Sequence, residues 1–213
     1  MVTVAVLGGT GALGSGLVKR LAKAGRQVVI GSRDAGKAAA AAAEYAEGVS
    51  GADYADAAAQ AEIIILTIPF AAHAEALAAI RDAAQGKVLI DATAPLVPPK
   101  VWTVQLPPEG SAAQRTQATL GQGVKVVSAF QNVGARHLHD DHEIDCDVLV
   151  CGDDAEAVTA ALGIVESIGM RGVRAGPLAN AAAAEALTSV LIQINRTYKT
   201  PEAGIRITGL PAI

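Results

Sequence analysis

Along the first two thirds of the chain, short and wholly apolar runs alternate with alanine-rich stretches of mixed polarity. The runs Thr3–Leu7, Val28–Gly31, Ile63–Thr67, Val88–Asp91 and Lys125–Ala129 show no polar–apolar alternation, the mark of strands covered on both faces. Between them, Ala12–Ala24, Ala35–Glu47, Ala71–Arg81 and Ser111–Leu120 have the composition of helices, alanine being the best intrinsic helix former and small enough for close helix–sheet packing. Strand–helix alternation of this kind predicts a parallel α/β sheet. Val49–Asp53 has the make-up of a weak extra edge strand. After a polar loop, Gln131–Asp145, the pattern predicts a strand at Asp147–Val150, a helix at Asp154–Ser167, a strand at Gly172–Ala175 and a long helix over Leu178–Arg196. The fold class is therefore a Rossmann-type, doubly wound, mainly parallel α/β sheet over residues 1–145, with a small C-terminal α/β extension over 146–213. No repeat or flexible linker separates the two, so they are expected to pack as one body.

Composition narrows the classes. Apolar residues make up 51% of the 213, enough to bury a core without disulfides or metals. The net charge of -4 and the lack of a basic run argue against a nucleic-acid partner. Ile63–Ile68 is strand length, and Ala179–Ile194 is interrupted by Asn180, Glu185 and Gln193, so neither reaches the ~20 consecutive apolar residues of a membrane span. The N-terminus runs straight into a strand without a charged segment, and no signal peptide is expected. Cys146 and Cys151 bracket the predicted strand Asp147–Val150 at odd spacing, which puts them on opposite faces, where they can neither bridge nor readily share a metal. Both read as small core residues of a reduced, cytoplasmic protein. Ala94–Gly110 holds five of the nine prolines and follows a strand end. It is either a wall of a ligand crevice or a rigid surface connection.

The chemistry begins at Val4–Gly14, where G-x-G-x-x-G stands directly between a strand and a helix. Gly9 is expected to allow the tight turn, Gly11 to let backbone approach a pyrophosphate, and Gly14 to let helix and strand pack closely. The helix start offers free N–H groups and a partial positive charge to the phosphates. The end of the second strand decides which nucleotide binds. An NAD site usually places an acid there, about 20 residues on, for the ribose 2′-hydroxyl. Here the residues are Gly31-Ser32-Arg33 with Lys37 one helical turn later, a hydroxyl and two cations suited to a 2′-phosphate. Asp34, after Arg33, suits the N-cap of the next helix. The expected ligand is NADP(H).

Acid–base apparatus is scarce. None of Tyr45, Tyr54 and Tyr198 has a lysine four residues on. His73, on the helix after Pro69, reads more readily as a satisfied surface histidine than as a catalytic one. His137, His139 and His142 with Asp140, Asp141 and Asp145 form a group that more often is a solvated loop than a metal site. No metal and no catalytic side chain are assigned. A reaction between two redox cofactors needs neither, only two rings held at near-attack distance, about 3–3.5 Å.

Six stretches carry a resemblance: Gly8–Gly11, Gly31–Arg33, Thr67–Pro69, Val150–Asp154, Ala175–Leu178 and Ala203–Leu210. Together they resemble the NADPH-dependent coenzyme F420 reductases, or F420H2:NADP oxidoreductases, from end to end. The resemblance implies an oxidoreductase passing a hydride directly between NADP(H) and F420 as co-substrate, and a homodimer. It implies NADP contacts at Thr10, Ala12, Leu13, Ser32, Arg33, Lys37, Thr67, Ile68 and Pro69, beside the loop glycines. It places Gln131, Asn132, Val133 and, on the last helix, Thr188 beside the deazaflavin, where one archaeal member has other residues at Gln131, Val133 and Ala182. Pro69, Leu96, Val133, Leu178 and Leu187 would give that ring an apolar cleft if the last helix lies over the strand ends. An NADPH-dependent flavin or metal reductase, an imine or hydroxyacid reductase, and a non-catalytic NADP sensor are the competing readings.

Overall fold

The apolar runs become interior strands of one eight-stranded sheet. The computed structural model describes residues 2–45, 47–200 and 202–210. Its strands are β1 (Thr3–Leu7), β2 (Gln27–Ser32), β3 (Val49–Asp53), β4 (Ile63–Leu66), β5 (Val88–Asp91), β6 (Lys125–Ser128), β7 (Asp147–Gly152) and β8 (Arg171–Arg174). Its α-helices are α1 (Ala12–Lys23), α2 (Ala35–Ala42), α3 (Tyr54–Gln60), α4 (His73–Ile80), α5 (Ala112–Leu120), α6 (Ala135–His139), α7 (Ala155–Ser167) and α8 (Ala181–Tyr198). The sheet order is β3-β2-β1-β4-β5-β6-β7-β8. All neighbours are parallel except β7, which runs antiparallel to β6 through Val127↔Gly152 and Ser128↔Cys151.

Burial accounts for the missing alternation: Val4 to Leu7 of β1 and Ile64 to Leu66 of β4 are fully enclosed. One face is covered by Leu17, Val18 and Leu21 of α1 with Ile164 and Val165 of α7, the other by Ala57, Leu77 and Ile80 of α3 and α4. Cys146 lies in the first of these cores and Cys151 in the second, both free, as their odd spacing requires. The residues after Asp145 do not start a new sheet, because β7 adds to the edge of β6.

Three local differences from the sequence pattern have physical reasons. α2 stops at Ala42 rather than Glu47, since the chain must turn through Gly48 (φ +76°) to lay β3 beside β2. α3 was hidden in a polar-looking stretch, and is started by Asp53, whose carboxylate accepts from the Asp56 amide at 2.9 Å. The polar loop after β6 contains the five-residue helix α6, with Leu138 fully buried on α1. The strand order reverses between β1 and β4, successive strands adding on one side of β1 up to β3 and on the other from β4, and open sheets bind ligands outside the strand C-termini at such a point. Among the described residues no helix is long and apolar enough to cross a membrane, and no His/Cys/Asp/Glu group could hold a metal ion.

Candidate functional site

Just past β1 the chain turns over Gly8–Gly11 into α1. The left-handed residue of this turn is Gly8 (φ +83°), not Gly9 as the motif suggested. Gly9 is needed for space instead, a Cβ there falling 2.8 Å from the Val6 carbonyl oxygen. At Gly14 it would lie 2.3 Å from the Gly8 carbonyl oxygen and 2.6 Å from Thr67 Oγ1. Gly11 differs: its added Cβ would meet only the Gly8 oxygen, at 3.2 Å, so its open side faces the cleft. α1 starts without a side-chain cap, which leaves its first amides free for a ligand. Thr10 is exposed at the tip of the turn.

At the end of β2, Ser32 is buried and its Oγ accepts from the Asp34 amide at 3.3 Å. Asp34 caps α2 by accepting from the Lys37 amide at 3.1 Å, the role its position suggested. Arg33 and Lys37 are exposed. The strand pairing brings one acid near that the linear motif did not reveal, Asp53 opposite Ser32, but its carboxylate is turned into the start of α3. Arg33 also borders a neighbouring hollow of about 310 Å³ with Tyr54, Ala72 and Glu75.

Between the strand ends lies a cleft of about 500 Å³. Gly11, Ala12 and Leu13 form one side, and Thr67, Ile68 and Pro69 its floor. Phe130, Gln131, Val133 and Thr188 close the far side, so α8 does lie over the strand ends. The proline-rich segment supplies Ala94, Leu96, Pro98 and Val101, which decides in favour of a wall over a mere surface connection. Among the described residues, none that lines this cleft is ionisable. Leu178 and Leu187 are not among them: Leu178 is buried in the core with Cys151 and Ala181. Asn132 is turned away as well, donating to the Asp147 carbonyl at 2.6 Å and bordering a side hollow of about 130 Å³ with Asn195 and Glu202.

The far side is built by contacts distant in sequence. Phe130, fully buried, holds φ +76°, a conformation rare for a bulky residue and found where surrounding structure imposes it. The turn aims Gln131 at the end of β5, where its amide nitrogen donates to the Asp91 carbonyl at 2.7 Å and to Ser128 Oγ at 2.9 Å. Gln131 Oε1 is buried without a partner among the described residues. Thr188 Oγ1 donates to the Gln131 carbonyl at 2.8 Å and so ties α8 to the turn.

Beneath this lies a polar core that the sequence reading missed. His73 is not a surface residue but fully buried, because the 3₁₀ turn Phe70–Ala72 starts α4 with its first residue facing the sheet. Its Nε2 lies 3.0 Å from both Asp91 Oδ2 and Thr116 Oγ1, and the Thr116 hydroxyl donates to the same carboxylate at 2.6 Å. Burial pushes the Asp91 carboxyl up, but bonds from His73, Thr116 and Thr93 outweigh it and leave the group below the ordinary carboxylate range. On α8, Glu185 is buried and accepts from the Ala112 and Ala113 amides at 2.6 and 3.0 Å, at the start of α5. Burial pushes its carboxyl up to about 8, against those two bonds. The only sequence signals for this core were an acid at a strand end, Asp91, and a lone acid in an apolar helix, Glu185.

Comparison with known proteins accords with this geometry. Residues 3–95 match the family described as NADP oxidoreductase coenzyme F420-dependent. An F420-dependent NADP reductase of Methanothermobacter thermautotrophicus is 44% identical over 98% of this chain and 95% of its own. The chain belongs to the F420-dependent NADP oxidoreductase family. Another member, the F420-dependent NADP reductase of Methanocaldococcus jannaschii, is 37% identical over 97% of this chain and 98% of its own. Among solved structures, a provisionally assigned F420-dependent NADP reductase of Arthrobacter sp. FB24 superposes with a TM-score of 0.84 at 28% identity, covering 98% of this chain and 100% of that one. The likeness to these relatives thus runs over nearly the whole chain, from the glycine loop to α8.

Proposed function

We propose that the chain is an oxidoreductase that passes a hydride between NADP(H) and coenzyme F420. The observation that carries this reading is the cleft itself: it joins the glycine loop to the Gln131 turn and is lined by no ionisable side chain. Reduction of a carbonyl or an imine draws on a positioned proton donor, whereas exchange between two redox rings does not. When bound, the two coenzymes would supply the chemistry between them, exchange of a hydride with one solvent proton balancing the charge.

The protein's part is binding, orientation and exclusion of water. Gly8, Gly9, Gly11 and Gly14 leave room for the pyrophosphate against the free amides of Ala12 and Leu13, with Thr10 at the rim. Ser32, Arg33 and Lys37 read the 2′-phosphate, and Thr67, Ile68 and Pro69 support the nicotinamide. The acceptor ring lies against Val133 and Thr188, with the Gln131 side chain fixed at the cleft wall by the two bonds of its amide nitrogen. The cleft volume is within the range of small-molecule sites, about 300–1,000 Å³. Residues 1–145 act as the NADP-binding domain and the remainder completes the acceptor pocket; 211–213 lie outside the described residues. A homodimer is part of the same reading, since Val97, Val104 and Leu106 of the proline-rich segment and Val190 and Tyr198 of α8 are exposed apolar groups that a second copy would cover. So is a cytoplasmic setting, where Cys146 and Cys151 remain free.

The deciding experiment mixes protein and NADPH with F420, and separately with FMN. NADPH oxidation is expected only with F420, and the single-turnover hydride step is expected to vary by no more than about twofold between pH 6 and pH 9, as no group in the cleft titrates. Turnover with FMN instead, or tight NADPH binding without turnover, would overturn the proposal.

A further inference from the structure

The turn that brings Gln131 and Val133 to the cleft runs directly into α6, and α6 is gripped at both ends by side chains remote in sequence. A five-residue helix has no stability of its own, so its position is set by whatever grips it. At its C-terminal end stands Arg20 of α1. The guanidinium donates to the carbonyls of Leu138 at 3.2 Å, His137 at 3.1 Å and His142 at 2.9 Å, and to that of Asp140 as well. At the other end the Glu202 carboxylate accepts from the amides of Arg136 and His137 at 2.8 and 3.0 Å. Cation at the C-terminus and anion at the N-terminus both complement the helix dipole. Glu202 itself has φ +54°, a left-handed conformation that residues with a Cβ rarely adopt and that persists only where contacts enforce it. Between the two ends, Leu138 sits on Gly16 of α1, where a Cβ would come within 2.6 Å of the Leu138 Cβ.

We propose that Arg20 and Glu202 are positioning residues: they fix α6, and through it the Gln131–Gly134 turn, against the same helix whose first turn faces the dinucleotide. α1 is then a common reference for both halves of the cleft, holding the donor at its N-terminus and the acceptor wall along its flank. Arg20 is eight residues beyond Ala12, about 12 Å along the helix, too far to touch the phosphates itself. The proposal rests on the hydride-transfer reading for its kinetic consequence but not for its structural one.

The experiment uses Arg20→Ala and Glu202→Ala in the full chain, with Lys23→Ala, whose ammonium pairs with the exposed Asp141, as control. KM for F420 is expected to rise at least about fivefold in both variants while the Kd for NADPH stays within twofold, and the control is expected to match the parent. Without F420, backbone amide exchange over residues 131–139 is expected to quicken at least about tenfold in the NADPH-bound variants. Should either variant fail to fold, Gly16→Ala tests the same idea, since it strengthens α1 as a helix while pushing Leu138 away. Unchanged exchange over 131–139, or an F420 KM within twofold of the parent, would overturn the proposal, as would a parallel loss of NADPH affinity. If the parent itself does not turn over with F420, the functional reading fails, and amide exchange still decides whether the clamp exists.

Discussion

The two sides of the cleft are made in opposite ways. The donor side is built from a few neighbouring residues and mostly from backbone: Gly8 to Gly14 make the turn and its open amides, and Ser32 to Lys37 stand at the end of the adjacent strand. Its charges are exposed and its tolerances steric. The acceptor side is built from side chains brought together from β5, β6, α4, α5 and α8, with Asp91, His73, Thr116, Gln131 and Glu185 all enclosed. Its tolerances are electrostatic, because a buried polar group is costly unless paired. In the proposed reading, one side is a shape for phosphates to enter and the other a network for a ring to rest against.

The sharpest way to break this contrast is to fill the glycine loop. Valine at Gly14 would set a Cβ 2.3 Å from the Gly8 carbonyl oxygen, a backbone atom that cannot swing aside. Gly14→Val is expected to weaken NADPH binding at least 100-fold, about 2.7 kcal/mol, in a fluorescence titration. Binding retained within tenfold would mean that the loop adapts, and that the donor side is not limited by shape.

Next in size is the charge on that side. Arg33→Ala should cost NADPH about 1–3 kcal/mol of binding if a charge-assisted pair to the 2′-phosphate is lost, and leave NADH within about twofold. Equal losses for both nucleotides would remove the 2′-phosphate assignment and with it the main electrostatic element of the donor side.

The same contrast governs what the sequence discloses. Gly9, Gly11, Gly14 and Ser32-Arg33 lie within 33 residues of the N-terminus, so their spacing is a motif that can be read directly. Even there, the left-handed residue is Gly8, and a Cβ on it would fall 2.7 Å from the carbonyl oxygen of Thr67, a neighbour distant in sequence. The burial of His73 was not legible, since it depends on a 3₁₀ turn and on Thr116, 43 residues away. Asn132 and Leu178 were assigned to the cleft along with Gln131, yet a side chain's face depends on the φ +76° at Phe130 and on the packing under α8, neither of which has a local signature. The strand positions followed from hydrophobic runs because burial on both faces is a property of each strand alone.

The smallest expected effect probes the network through pH. Glu185 has its carboxyl raised to about 8 from 4.5, first by burial, with the nearby Asp91 charge adding to the shift and the Ala112 and Ala113 amides opposing it. Between those two values the folded protein retains a proton that the unfolded chain has released, so stability from this group is complete below pH 4.5 and is lost as pH rises through 8. Glu185→Gln, a neutral mimic, should therefore lose less stability than the parent between pH 5 and pH 8.5. The difference in Tm is expected to be at least about 3 °C, the shift that about 1 kcal/mol produces in a chain of this size. Parallel Tm curves would show that the two amides hold the carboxylate charged after all, with helix-start hydrogen bonding outweighing desolvation. NADPH affinity should not follow the same curve, because the cations proposed to read the 2′-phosphate, Arg33 and Lys37, are exposed, whereas Glu185 is enclosed under α8. A matching pH dependence in NADPH affinity would mean that the two sides are electrostatically coupled and that the contrast between them is only geometric.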